Sequence, residues 1–171
     1  ISPCAYLVGL LHPLVIEELA LARHGYRTFV CDPTQWTPFE DGSSLTQWLD
    51  EDRTAKEVHA LAPGDVEGYV AYVELFRRIR SRLRAGGDPA RDTWIGDAPD
   101  RAALDELFAD DPEAREVLFE ASIADVVERH VRDERLRIAL HGQGIIGTFA
   151  GPRDPGTAWI HAMHSLGLMG G

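Results

Sequence analysis

Apolar residues recur at intervals of three and four positions between Asp65 and Arg84, in the most regular hydrophobic pattern of the chain. The apolar positions are Val66, Tyr69, Val70, Val73, Phe76, Ile79 and Leu83. This spacing aligns them on one face of a helix with 3.6 residues per turn. The pattern predicts a long amphipathic helix from Asp65 to about Arg84, with Phe76 buried in the core.

Shorter stretches with helical spacing predict further helices. One should run from Pro13 to His24 and end at Gly25, because glycine is the preferred residue just after a helix. Aspartate and serine side chains cap the first free backbone N–H groups of a helix. Caps of this kind are expected at Asp52, Asp100, Asp111, Ser122 and Asp133, and a last helix should begin near Thr157. Ser122 and Asp125 have the spacing of a capping box.

One small β region is expected before the long helix. Thr28 to Cys31 and Thr37 to Phe39 have the composition of short strands. Asp41-Gly42 is a turn signal, and it leads into a third short run, Ser44 to Leu49, so the sequence predicts a hairpin. The predicted fold class is α+β, predominantly helical with a small antiparallel hairpin, in a single domain over residues 1–171.

Two segments of unusual composition flank the end of the long helix. Residues 86–99 contain three Gly, two Pro and three Asp, which predicts an internal flexible linker. The last turns of the helix carry Arg77, Arg78, Arg80, Arg82 and Arg84. Such a cluster would suit a phosphate group, but positive charge also complements the C-terminal end of a helix dipole. We favour the second interpretation.

Composition and charge exclude several classes of function. The net charge of −11 argues against a nucleic-acid or anionic-membrane partner, because both require a basic face. No apolar run approaches the roughly 18 residues that a membrane-spanning helix needs. The two cysteines, Cys4 and Cys31, have no metal-binding spacing. We expect both to be free thiols in a reducing cytoplasm.

The segment Gly142 to Gly147 spells G-x-G-x-x-G, the pattern of a dinucleotide-binding turn. A true fingerprint follows a buried strand and precedes, by about 20 residues, an acidic residue that holds a ribose. Here the preceding apolar residues Leu136, Ala139 and Leu140 have helical spacing, and no acidic residue lies at that distance before Gly171. We therefore expect no complete Rossmann domain and no cofactor site in this chain.

His161 and His164 are three residues apart on the last predicted helix and could face one metal ion. No third ligand is evident nearby in the sequence, so we favour buried or cavity-lining histidines over a metal site. No G-x-S-x-G motif is present, and the acidic pairs fall in polar turns. The residues alone therefore indicate no self-contained catalytic site.

A longer pattern includes the glycine segment. Ile146-Gly147-Thr148-Phe149-Ala150-Gly151-Pro152 is followed by Pro155-Gly156-Thr157-Ala158-Trp159 and by His164. This resembles phytoene desaturase-like FAD-dependent oxidoreductases, and within them most closely the branch called pyridine nucleotide-disulfide oxidoreductase domain-containing protein 2. Further blocks agree in the same order along most of the chain: Cys4-Ala5-Tyr6-Leu7, Glu18-Leu19, Arg23-His24-Gly25, Asp32-Pro33, Thr37-Pro38, Asp41-Gly42, and Asp65 with Tyr69.

The resemblance implies that the chain is an internal, substrate-binding portion of a larger flavoenzyme. FAD would belong to the full-length parent, whose FAD-binding domain would be the partner of this portion, and none is expected on the chain alone. The small-molecule substrate would be apolar or amine-like and would transfer hydride to the flavin. Residues expected to line its cavity are Gly147, Thr148, Gly151, Thr157, Trp159 and His164, with Cys4 and Tyr6 near the N-terminal junction. The alternative is a non-catalytic helical protein-interaction module.

Overall fold

The computed structural model describes Leu11 and residues 13–84 and 99–167. Within these residues the helices are α1 (Pro13–Glu18), α2 (Glu51–Leu61), α3 (Val66–Arg84), α4 (Arg101–Leu107), α5 (Pro112–Phe119), α6 (Ile123–His130), α7 (Glu134–His141) and α8 (Thr157–Gly167). The strands are β1 (Gln35–Pro38) and β2 (Ser44–Gln47). The structure is therefore α+β and predominantly helical, which confirms the predicted fold class.

The hairpin and the N-terminal helix differ in detail from prediction. β1 and β2 pair antiparallel, with Pro38 opposite Ser44 and Gly42 in the turn at a φ of 84°. The predicted helix over Pro13 to His24 is interrupted, because Ala20 adopts left-handed backbone angles between α1 and a 3₁₀ turn over Leu21–His24. The strand predicted for Thr28 to Cys31 is absent. Phe29 within it is 86% exposed, so its side chain gains no burial that would stabilise a strand there.

The predicted N-caps are confirmed at Asp100, Asp111, Ser122 and Asp133. Ser122 and Asp125 also form the predicted capping box. For α2 the cap is Asp50 and not Asp52, because the Asp50 carboxylate accepts a hydrogen bond from the Arg53 backbone N–H at 3.0 Å. Asp52 instead lies in the first helical turn, where its negative charge interacts favourably with the positive end of the helix dipole.

Helix α3 is the centre of the core, and α8 and α6 pack against it. Its buried face consists of Tyr69, Tyr72, Leu75, Phe76, Ile79 and Leu83. Phe76 is buried as predicted, but Val70, which the periodic pattern placed on this face, is 52% exposed. Gly68 lets α3 approach the end of α6, since a Cβ atom there would lie 1.8 Å from the backbone oxygen of His130.

Arg77, Arg78 and Arg82 at the end of α3 form ion pairs with carboxylates of other elements. Arg78 donates to Asp111 at 2.6 Å and to Glu113 at 2.8 Å, and Arg82 pairs with Asp110. These contacts connect α3 to the start of α5. These carboxylates neutralise the guanidinium groups, which supports a structural role for the arginines over phosphate binding.

No helix within the described residues is long and apolar enough to cross a membrane. The predicted linker over residues 86–99 lies outside the described residues except for Pro99. Cys31 is exposed and free, and Cys4 lies outside the described residues.

Candidate functional site

The loop between α7 and α8 holds three of the predicted cavity residues, Gly147, Thr148 and Gly151. Gly142–Gly144 form a 3₁₀ turn directly after α7, so a helix precedes the glycine pattern, as the spacing predicted. A Cβ atom at Gly144 would lie 2.4 Å from the Ile123 side chain. This glycine therefore allows the turn to pack on α6, a role that explains it without a pyrophosphate.

Further along this loop the backbone turns sharply at two glycines and is held by an aspartate. Gly147 and Gly156 have φ values of 79° and 82°, which side-chain-bearing residues rarely adopt. The Asp154 carboxylate accepts from the Gly151 N–H at 2.7 Å, and the Asp154 N–H donates to the Gly151 carbonyl at 3.0 Å. The loop is consequently ordered by its own short-range hydrogen bonds.

A shallow surface depression of about 400 Å³ lies in this loop. It is lined by Thr148, Phe149, Ala150, Gly151 and Asp154. The structure thus brings two predicted cavity residues, Thr148 and Gly151, to one opening. Phe149 is fully exposed beside them and offers an aromatic face to whatever contacts the depression.

Thr157 is buried at the junction between the loop, α6 and α8. Its hydroxyl accepts from the Ile123 N–H at 2.9 Å and donates to the Asp154 carbonyl at 2.8 Å. The Ala124 N–H donates to the Pro152 carbonyl at 2.9 Å nearby. The hydroxyl thus accepts from α6 and donates to the loop, so Thr157 fixes the entry of α8 relative to α6.

His164 and Trp159 lie on α8, away from the lining of the depression. Trp159 is half-buried and packs on the core. His164 Nδ1 lies 3.4 Å from the Gln143 backbone oxygen. A carbonyl oxygen only accepts, so Nδ1 is the protonated nitrogen and Nε2 of the neutral ring is an acceptor. Cys4 and Tyr6 lie outside the described residues.

The position of Gln143 is itself fixed from the hairpin. Its side-chain amide donates to the Gln35 side-chain oxygen at 2.6 Å, and the Gln35 amide donates to the Thr37 hydroxyl at 3.1 Å. A polar chain therefore runs from β1 through the 3₁₀ turn to His164. Local patterns in the sequence contain no signal for this contact, because Gln35 and Gln143 are 108 residues apart.

His161 lies one helical turn before His164, among aromatic rings of α3. Its ring is stacked on Tyr72 at 5.7 Å between centroids and 11° between planes, and it meets the edge of Phe76 at 4.1 Å. Burial, followed by the charge of His164, lowers the pKa of His161 to about 3. The ring is consequently neutral at physiological pH, with its Nδ1 buried.

Tyr72 is a residue that sequence reasoning missed. It is 2% exposed, and burial strongly raises the pKa of its hydroxyl. The signal was present, because Tyr69, Tyr72, Phe76, Ile79 and Leu83 follow a strict alternation of three and four residues.

As for the metal alternative, the described part of the chain contains no group of three or more His, Cys, Asp or Glu residues that could hold a metal ion.

Comparison with known proteins supports a distant relationship to an oxidoreductase family. The chain is 26% identical over 196 residues to pyridine nucleotide-disulfide oxidoreductase domain-containing protein 2 of Mus musculus, with 99% of this chain and 33% of the relative covered. It is also 26% identical over 200 residues to the Rattus norvegicus protein of the same name, with the same coverage. The chain thus spans about a third of the length of these curated relatives. No protein-family model matches the chain. No solved structure matches it.

Proposed function

We propose that this chain is the substrate-binding portion of an FAD-dependent oxidoreductase related to phytoene dehydrogenases. The observation that carries the proposal is the similarity over 99% of the chain to oxidoreductase-domain proteins about three times as long. Such coverage is what a portion of a larger enzyme would produce. The substrate would be a small apolar or amine-like molecule, and the location would be cytoplasmic.

The flavin would be held by another part of the parent protein. The G-x-G-x-x-G segment in this chain follows α7 instead of a strand, and Gly144 packs against Ile123. These residues do not fit a pyrophosphate, which needs strand, turn and helix N-terminus in that order. We therefore assign this chain the tasks of shaping the substrate cavity and orienting the substrate.

His164 is the residue best placed for orientation. The Gln143 carbonyl fixes its tautomer, which leaves Nε2 as a hydrogen-bond acceptor for a substrate hydroxyl or amine. Thr148 and Gly151 line the depression at the start of the same segment. An active site in which a cofactor supplies the chemistry needs few polar groups of this kind in an otherwise apolar cavity.

A second candidate is a non-catalytic helical interaction module. Exposed apolar side chains favour it: Phe149 is fully exposed, Phe29 is 86% exposed and Trp36 is 62% exposed. If these side chains form a contiguous surface in the parent protein, such a patch would suit contact with another protein. The two candidates differ in whether the parent protein carries a flavin.

The test is to express the complete parent protein and the 171-residue chain separately and to identify released flavin by chromatography. We expect stoichiometric FAD on the parent and a colourless chain. The parent is then mixed anaerobically with a panel of apolar and amine compounds while flavin bleaching is followed. A parent without flavin overturns the proposal and favours the interaction module, whereas FAD bound to the chain alone overturns the division of tasks.

A further inference from the structure

Two buried polar atoms without hydrogen-bond partners in the described structure lie in one place, between α3 and α8. They are the hydroxyl oxygen of Tyr72 and Nδ1 of His161. About nine in ten or more of the buried polar groups in proteins have a partner, and an exception calls for an explanation, of which a functional role is one. The rings that carry the two atoms are stacked on each other. Unpartnered buried side-chain atoms also occur at Gln47, Trp48 and His141, and this site is distinguished by two of them on stacked rings.

From this juxtaposition, we propose that Tyr72 and His161, together with Phe76, bind an uncharged polar group attached to an apolar body. The hydroxyl of Tyr72 donates to that group, and Nδ1 of His161 donates or accepts according to its tautomer. Suitable groups are a hydroxyl, a carbonyl or an unprotonated amine. If this ligand is the substrate, the inference rests on the proposed function. It then narrows the substrate from any apolar or amine-like molecule to one with an uncharged polar group on an apolar body.

The walls of the site explain why the ligand body is apolar. The edge of Phe76 lies against His161 at 4.1 Å between ring centroids, and Tyr72 also meets Phe76 at 5.0 Å. Aromatic faces and edges favour contact with another ring or an alkyl chain. His161 is half-buried as a whole residue, whereas its Nδ1 is buried.

The electrostatics explain why the ligand is uncharged. No described carboxylate or guanidinium is shown against either ring; the titratable groups that face them are Tyr69, His164 and His130, whose ring meets Tyr72 edge-on at 6.1 Å. Burial lowers the pKa of His161 and raises the pKa of Tyr72, so the site disfavours a positive and a negative charge alike. A charged ligand would lose its hydration without gaining a counter-charge.

Four probes of similar shape test the proposal at neutral pH: benzyl alcohol, benzylammonium, benzoate and toluene. Binding to the 171-residue chain is measured from NMR shifts of backbone amides in α3 and α8. We expect saturable shifts with benzyl alcohol and binding roughly three- to tenfold weaker with toluene, which lacks the hydrogen bonds. Both charged probes should bind more weakly still. No saturable binding of benzyl alcohol, or equal binding of a charged probe, overturns the proposal.

Variants connect the binding to the two atoms. Tyr72→Phe and His161→Phe should each weaken benzyl alcohol binding roughly two- to tenfold and leave toluene binding unchanged. Tyr69→Phe is the matched control, because Tyr69 is a buried tyrosine one turn before Tyr72 on the same face of α3, and its hydroxyl is not among the unpartnered atoms. Benzyl alcohol affinities that stay at the wild-type value in both site variants overturn the proposal.

Stability measurements separate a ligand site from a structural one. Both substitutions remove a buried unpartnered polar atom, so the melting temperature should stay the same or rise. A fall in melting temperature in both variants means that the atoms stabilise the fold, and it overturns the proposal. None of these measurements involves flavin, so their failure is distinct from a failure of the oxidoreductase function.

Discussion

His164 Nδ1 donates to the backbone carbonyl of Gln143 over 3.4 Å, and this contact fixes which nitrogen of the ring is free. The carbonyl lies in the 3₁₀ turn between α7 and the glycine loop, and the Gln143 side chain is bonded to Gln35 of the hairpin. A chain of polar contacts thus joins the hairpin, the 3₁₀ turn and the His164 ring on α8. Such support is characteristic of a residue whose orientation matters for binding.

The first prediction concerns His164 in the complete parent protein, which we propose to bind FAD. His164→Leu removes the acceptor at Nε2, so flavin should remain bound while its reduction by the best compound of the panel slows. His164→Gln keeps an acceptor at similar reach and should preserve more of the rate. Rapid-mixing absorbance of the flavin measures both variants, and melting temperatures report the fold. An unchanged rate in His164→Leu would remove this residue from the site.

The second prediction tests the close approach of α3 and α6. Gly68→Ala should destabilise the chain by about 1–3 kcal/mol, because the new Cβ would lie 1.8 Å from the His130 backbone oxygen and a helix would have to move. Gly64→Ala is the matched control, with nothing within 4 Å of its Cβ. Urea unfolding followed by circular dichroism compares the two. Equal stability of both variants would contradict the packing.

The helix caps and the hairpin turn could be predicted from sequence because their signals are local. Asp100, Asp111, Ser122 and Asp133 bond to backbone groups two or three residues away, and Asp41-Gly42 forms its turn within a few residues. The strand expected at Thr28 to Cys31 failed for the opposite reason. A strand needs a partner elsewhere in the chain, and its composition does not supply one.

The buried face of α3 and the candidate site depend on distant contacts. Val70 and Tyr72 are both apolar enough for the core, and packing against α6 and α8 selects Tyr72. The Gln35–Gln143 bond and the Tyr72–His161 stack each join segments far apart in the chain. Local periodicity contains no information about such pairs. His164 was proposed as a cavity residue only through resemblance to a family, and its contact with Gln143 is visible only in the structure.

The third prediction concerns the core face of α3. Phe76→Ala should cost about 3–5 kcal/mol of the free energy of unfolding, because Phe76 is 4% exposed and contacts both Tyr72 and His161. Val70→Ala on the same helix should cost less than about 1 kcal/mol, since Val70 is 52% exposed. Chemical denaturation measures both. A loss below about 1 kcal/mol for Phe76→Ala would place this face outside the core.

The last prediction is a pH dependence of stability that originates in His161. Its pKa is lowered from 6.5 to about 3 in the folded chain, so between these values the unfolded state binds more protons than the folded state. The contribution of the neutral His161 ring to the free energy of unfolding is therefore fully present above pH 6.5 and declines as the pH falls. Between pH 7 and pH 5 the loss should be on the order of 2 kcal/mol.

This window separates His161 from the other titrating groups. The ion-paired aspartates, such as Asp111 and Asp133, have lowered pKa values, so their contribution is lost mainly at more acidic pH. His141 also has a pKa lowered by burial and adds to the loss in the same direction. His161→Phe should reduce the slope of stability between pH 7 and pH 5, and His141→Gln should reduce the remainder. Urea titrations at several pH values measure these slopes, and an unchanged slope in His161→Phe would mean that the imidazole becomes protonated within the folded chain.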